Sequence, residues 1–185
     1  MDLEKVDVLD NHGKLTGEIM LKTEAHKKGV WHRAVHIWVY NSKGELLLQK
    51  RAKKKKYYPG LWDISAAGHV SAGQSYQEAA QRELFEELGI MCHAKALKPI
   101  KLWKLKQDLS KPFLKNREFV KGYSLRWDGN VASLRLQEEE VEQAKLMPID
   151  DFESNIMNDE KSLTYVPQRK YYLEGIALLK KEMGR

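Results

Sequence analysis

Gly68-His69-Val70-Ser71-Ala72-Gly73-Gln74-Ser75-Tyr76-Gln77-Glu78-Ala79-Ala80-Gln81-Arg82-Glu83-Leu84-Phe85-Glu86-Glu87-Leu88-Gly89-Ile90 is the stretch whose reading decides the rest of this chain. Residues 69–74 are rich in small and turn-forming types and read as a loop. Ser75 followed three residues later by Glu78 is a capping box, so a helix starts there. It runs through Leu88 and stops at Gly89, which can take the left-handed conformation a helix end needs. At about 100° per residue, Glu83, Glu86 and Glu87 share one helix face, with Leu84 and Leu88 on the adjoining apolar face. Like charges at these spacings repel by roughly 0.2–0.5 kcal/mol per pair. They also sit in the last turns, where the helix dipole disfavours anions. A divalent cation is the simplest compensation, and oxygen-rich clusters suit the hard ions Mg²⁺ or Mn²⁺. The plain alternative is a solvated acidic face softened by Arg82 and Lys95.

The frame around this helix is ordinary for a globular protein. The chain has 185 residues, 42% hydrophobic and 31% charged. That fits a single domain over 1–185 and excludes a collagen or disulfide scaffold. Cys92 is the one cysteine, so neither an internal disulfide nor a four-cysteine zinc site can form. No apolar run approaches a membrane span. The opening residues Met1 to Asp7 are polar and acidic, so no signal peptide is expected and the expected compartment is the cytoplasm. The formal charge of +6 favours anionic partners. It is concentrated in Lys50, Arg51 and Lys53 to Lys56, whereas Glu138, Glu139, Glu140 and Glu142 form an acidic run.

Strands are expected at 3–9 and 16–21, joined by Asn11-His12-Gly13-Lys14 into a hairpin. A short helix follows over 23–29. A central strand at 32–40 turns through Asn41 to Gly44 into a strand at 45–50. Further strands are expected at 62–67, 97–105, 117–127 and 146–149. Asp150 opens a short helix, and Pro167 opens the last one, over 167–182. The mixture is α/β in the α+β sense, a sheet sandwiched by helices.

The 23 residues from Gly68 to Ile90 resemble the Nudix box, Gly-x5-Glu-x7-Arg-Glu-U-x-Glu-Glu-x-Gly-U with U a bulky aliphatic. Gly68, Arg82, Glu83, Leu84, Glu86, Glu87, Gly89 and Ile90 match in register, and Gln74 stands where the first glutamate is expected. The resemblance implies a Nudix α/β/α sandwich with a mixed central sheet, extended here by an N-terminal hairpin over 1–21. It implies metal ligation by Glu83, Glu86 and Glu87 with a backbone carbonyl near Gly68, the ion being Mg²⁺ or Mn²⁺. Arg82 would hold the glutamates in place. The general base in this family is either a box glutamate or a distant loop glutamate, for which Glu140 is the candidate.

Outside the box, His32-Arg33-Ala34, Gln49-Lys50-Arg51, Pro59-Gly60-Leu61-Trp62-Asp63 and Gly68-His69 resemble isopentenyl-diphosphate isomerase and its Nudix hydrolase relatives. That branch implies a second metal site, to which His32, His69 and Glu118 correspond, while His26 lies one residue out of step with a third histidine. It implies diphosphate binding by Arg51 and Lys55. The isomerase also uses a cysteine just before Gly-His, and here that position is Ala67. An alanine moves no proton. The expected function is therefore a metal-dependent hydrolase cleaving a diphosphate linkage in a nucleoside diphosphate derivative or related small molecule. The alternatives are an isomerase-like enzyme or a non-catalytic module binding nucleotide or RNA. A monomer or homodimer is expected.

Overall fold

The computed structural model describes residues 3–109 and 113–184; residues 1–2 of the expected N-terminal extension, and residue 185, lie outside the described residues. Strands β1 (Lys5–Leu9) and β2 (Leu15–Leu21) form a separate antiparallel hairpin. Its turn is held by Asp10, whose Oδ1 accepts the backbone N–H groups of His12 and Lys14 at 2.8 and 2.9 Å. Helix α1 (Lys22–Lys28) folds back on the hairpin and ends at Gly29 with φ +69°. Val6, Val8, Met20 and Ala25 form a small core between them.

The main sheet contains β3 (His32–Tyr40), β4 (Glu45–Arg51), β5 (Trp62–Asp63), β6 (Ala66–His69), β7 (Lys98–Leu109), β8 (Leu114–Arg126) and β9 (Val141–Pro148). Its order is β5-β4-β3-β8-β7, with β6 added to β3 and β9 to β4. β3 and β8 run parallel while the other pairs are antiparallel, so the sheet is mixed. Side chains alternate across β3. Val35, Ile37 and Val39 pack under α2 (Tyr76–Leu88) against Ala79, Ala80, Leu84 and Leu88. Trp38 and Tyr40 face α3 (Ile149–Met157) and α5 (Arg169–Glu182), among Phe152, Tyr172 and Ile176. A short helix, α4 (Asp159–Ser162), lies between α3 and α5. The result is the expected α/β/α sandwich. None of these helices is long and apolar enough to cross a membrane.

Helix α2 forms for the local reasons anticipated. Ser75 Oγ accepts the Glu78 N–H at 3.2 Å, and the Glu78 carboxylate accepts the Ser75 N–H at 2.8 Å. Gly89 closes the helix with φ +71°. Elsewhere long-range pairing moved boundaries. The strand expected at 62–67 is two strands, because Ser65 Oγ donates to the Leu47 carbonyl at 2.5 Å and accepts the Val39 N–H at 2.8 Å. That hydroxyl carries the chain from the edge of β4 to β3. The strand expected at 146–149 starts earlier, at Val141, because β4 offers partners from Glu45 to Arg51, and Ile149 is already helical. β7 and β8 outrun 97–105 and 117–127, pairing as far as Leu109 with Leu114. The last helix begins at Arg169 rather than Pro167.

Gly175 decides how closely α5 approaches the sheet. A Cβ there would lie 2.5 Å from Trp38 Cζ2. Gly175→Ala therefore lowers stability by about 1–3 kcal/mol through overpacking, despite the better helix propensity of alanine. Urea denaturation checks this, and an unchanged or raised midpoint would refute the contact.

Candidate active site

The three box glutamates are not equivalent. Glu83 and Glu87 are buried and Glu86 is half exposed. Arg82 Nη1 lies 2.8 Å from both Glu83 and Glu86, and Arg82 Nη2 donates to the His69 carbonyl at 2.8 Å. One guanidinium thus ties the helix to the end of β6. Glu87 Oε2 accepts from Gln49 Nε2 at 3.0 Å and from the Ala67 N–H at 3.3 Å. Burial, and then the neighbouring Glu83, push the Glu87 carboxyl up to about 8. Burial also raises Glu83, against the pull of Arg82. Two buried carboxylates that resist joint ionisation are the donor set a hard divalent cation satisfies.

Gly68 makes room for this arrangement. A Cβ there would fall 2.0 Å from the Glu83 carboxyl carbon. Gly68→Ala therefore displaces Glu83 and weakens Mn²⁺ binding by at least about tenfold. Titration followed by electron paramagnetic resonance tests this; unchanged affinity would show that Glu83 is not a ligand.

The glutamates open onto a cavity of about 1010 Å³ that also receives Arg51, Lys55, Glu140, Tyr58, His36 and Glu118. Arg51 Nε and Nη2 donate to the Tyr57 carbonyl at 3.2 and 3.0 Å, and its Nη1 lies 3.5 Å from Asp63. Lys55 and Glu140 are ion-paired, so the basic stretch and the acidic run meet at the cavity wall. Tyr58 has φ +52°, and its hydroxyl accepts from Gln107 Nε2 at 2.7 Å. Among the aromatic residues, Trp38 and Trp103 are core, and Tyr57 and Tyr58 line the cavity.

A second group lies at the same cavity. His26, His32, His69 and Glu118 each present a ligand atom, all within 4.8 Å of one another. They come from α1, β3, β6 and β8. The register places His32 directly opposite Glu118, and Ala34 opposite His69. His69 Nε2 lies 3.2 Å from Glu118 Oε1 and 3.3 Å from His26 Nε2, while His32 Nε2 is 3.7 Å from the same carboxylate. His32 Nδ1 donates to the Val30 carbonyl at 3.0 Å, because a carbonyl can only accept. Burial, then His69, lower the His32 pKa, so the ring is neutral and its Nε2 carries a lone pair. That buried atom has no hydrogen-bond partner and faces a carboxylate. Burial, then His69 and His32, push His26 down to about 3. Burial opposes the charge on Glu118, but its hydrogen bond to His69 and the nearby imidazoles hold its pKa below the usual range. The neutral His26 and His32, the latter anchored through its other nitrogen to a carbonyl, together with the His69 ring and the Glu118 carboxylate fit a metal ion. His26 is the member that counting along the chain put out of step. Its place depends on how α1 folds over β8, which no local spacing encodes.

The model of the NUDIX domain matches residues 30–168, three quarters of the chain. The chain belongs to the Nudix family. The family and its named relatives make it a Nudix-type hydrolase. This Nudix protein is 35% identical over 157 residues to an uncharacterised Nudix hydrolase of Listeria monocytogenes, covering 82% of this chain and 84% of that one. It is 35% identical over 167 residues to Nudix hydrolase 3 of Arabidopsis thaliana, covering 89% of this chain but only 21% of that protein. It is 42% identical over 92 residues to the isopentenyl-diphosphate Delta-isomerase of Pectobacterium atrosepticum, covering 50% of this chain and 51% of the isomerase. The fold is similar to a crystal structure of a Deinococcus radiodurans protein, with TM-score 0.63, 22% identity, and 87% and 97% of the two chains covered.

Proposed function

We propose that this Nudix protein hydrolyses the diphosphate linkage of a small molecule, a nucleoside diphosphate derivative or a related compound, in a divalent-metal-dependent reaction. The observation that carries this reading is the pair of buried carboxylates, Glu83 and Glu87, beside Glu86 at the wall of a cavity that also holds Arg51 and Lys55. Mg²⁺ or Mn²⁺ at Glu83, Glu86, Glu87 and the Gly68 carbonyl would neutralise the diphosphate and activate a water. Arg82 keeps the glutamates in position. Arg51, whose position its contacts with Tyr57 and Asp63 set, binds a phosphoryl group as a fork, and Lys55 as a point charge. Glu140 is our candidate for the general base. Its ion pair with Lys55 keeps it at the cavity wall, and substrate binding that draws Lys55 away frees it to take the proton of the attacking water.

His26, His32, His69 and Glu118 would hold a second ion, and their imidazole nitrogens suit a first-row transition metal better than Mg²⁺. This group, with the likeness to the Pectobacterium atrosepticum isomerase over half of the chain, favours an isomerase reading. Against it, Ala67 carries a methyl where that chemistry requires a group that exchanges a proton.

The test is a turnover screen with Mg²⁺ or Mn²⁺ over nucleoside di- and triphosphates, nucleotide sugars, dinucleoside polyphosphates and isopentenyl diphosphate. We expect metal-dependent release of a phosphorylated product from one class, lost in Glu86→Gln. Isomerised isopentenyl diphosphate would establish the second reading. Tight nucleotide or RNA binding without turnover would overturn both in favour of a binding module.

A further inference from the structure

His36 is a cavity residue to which neither metal group assigns a role. It lies on the same face of β3 as His32 and Ala34, directly opposite Ala67 on β6. His36 Nδ1 is 2.6 Å from the Tyr171 hydroxyl, and that hydroxyl is 3.3 Å from Trp38 Nε1.

The protons in this chain can be placed by elimination. An indole N–H only donates, so Trp38 donates to the Tyr171 oxygen. Tyr171 then holds one proton of its own. It is buried, and burial keeps its pKa well above the usual tyrosine value. Its acceptor at hydrogen-bond distance is His36 Nδ1. If Nδ1 instead carried a proton, the hydroxyl would accept twice and its own buried proton would have no acceptor, at a cost comparable to a lost hydrogen bond. Nδ1 therefore accepts, and the ring proton sits on Nε2. Burial lowers the His36 pKa, in keeping with a neutral ring. Nε2 makes no hydrogen bond to any described residue and is not fully buried. His36 as a residue is half-buried, and it lines the cavity.

We propose that His36 contacts the substrate, donating its Nε2–H to an oxygen of the bound diphosphate compound, and that Tyr171 is the positioning residue that locks this tautomer. The role rests on the hydrolase reading above. A donor fixed before binding costs no reorganisation when the substrate arrives. Its neighbour on α5, Tyr172, sets a second cavity group in the same way. It donates to Asp63 at 2.7 Å, and Asp63 pairs with Arg51. Two consecutive residues of the C-terminal helix thus orient two groups on two strands.

The experiment compares His36→Gln, His36→Phe and Tyr171→Phe on the substrate that the wild type turns over. Glutamine places an amide N–H near the Nε2 position, whereas phenylalanine keeps the ring shape and loses the donor. We expect kcat/KM to fall roughly 30- to 300-fold in His36→Phe and to stay within about fivefold in His36→Gln. Tyr171→Phe should fall by roughly tenfold. A packing role would affect both His36 variants alike. A second readout needs no turnover. In ¹⁵N-labelled wild-type protein at pH 7, long-range ¹H–¹⁵N spectra should show His36 as the Nε2–H tautomer. Its Nε2 resonance should move on adding α,β-methylene-ADP with Mg²⁺, and Tyr171→Phe should give a mixture of tautomers. If no substrate is turned over, the hydrolase reading fails and the spectra alone decide the contact. A protonated Nδ1, an Nε2 unmoved by the analogue, or equal losses in the two His36 variants would overturn the proposal.

Discussion

Replacing Glu87 by glutamine slows diphosphate turnover by at least about a thousandfold and at the same time stabilises the metal-free protein at pH 8. Both effects come from one feature. Glu87 is buried beside Glu83, and its pKa stands at about 8. In the unfolded chain the carboxyl ionises near 4.5. A raised acid pKa means that the fold favours the protonated form, so its stabilising contribution is complete below about pH 4.5. That contribution is lost as the pH rises to about 8, where ionisation opposes folding by on the order of 3–5 kcal/mol. Glutamine keeps an oxygen for Gln49 Nε2 and the Ala67 N–H and carries no charge. Urea midpoints measured in chelator should therefore rise in Glu87→Gln at pH 8 and converge with wild type towards pH 4.5. Turnover requires the charge as a ligand and falls. Equal midpoints at pH 8, or activity within tenfold of wild type, would defeat this account.

The second large effect concerns the histidine group and separates the two metal sites by their protons. His26, pushed down to about 3, is neutral well below pH 7, and burial lowers the His32 pKa from its ordinary value as well. A lowered histidine pKa destabilises the metal-free fold as pH falls below about 6.5, because the unfolded rings then take up protons. At pH 7 these two ligands are already deprotonated, so an ion binding there displaces no proton from them. An ion at the glutamates displaces the Glu87 proton below about pH 8. Calorimetry in buffers of different ionisation enthalpy distinguishes the two. Zn²⁺ or Mn²⁺ at the histidines should show little buffer dependence at pH 7, and Mg²⁺ at the glutamates a release approaching one proton. His32→Ala should weaken the transition ion by at least about a hundredfold. In wild type, stripping that ion should lower stability by about 2.7 kcal/mol for an ion held at a hundred times its Kd. Unchanged transition-metal affinity in His32→Ala would show that the four side chains form a packed cluster and not a ligand set.

The sequence by itself determined what depends on neighbours within one or two turns. Ser75 and Glu78 cap α2, Gly89 ends it, and Glu83, Glu86 and Glu87 share a face because the helix repeats every 3.6 residues. The β-branched and aromatic residues that mark β3 as a central strand were equally legible, as was the alanine at position 67. What only the tertiary structure decided involves residues far apart in the chain. His26, His32, His69 and Glu118 converge because β3 is flanked by β8 on one side and β6 on the other, with α1 laid across β8. Lys55 meets Glu140 because β9 pairs with β4. His36 acquires its tautomer from Tyr171, 135 residues later, through a contact that needs Gly175 to bring α5 onto Trp38. Local propensity and periodicity act over a few residues. A site assembled from four elements is fixed by strand order and register, which arise only when the whole sheet pairs.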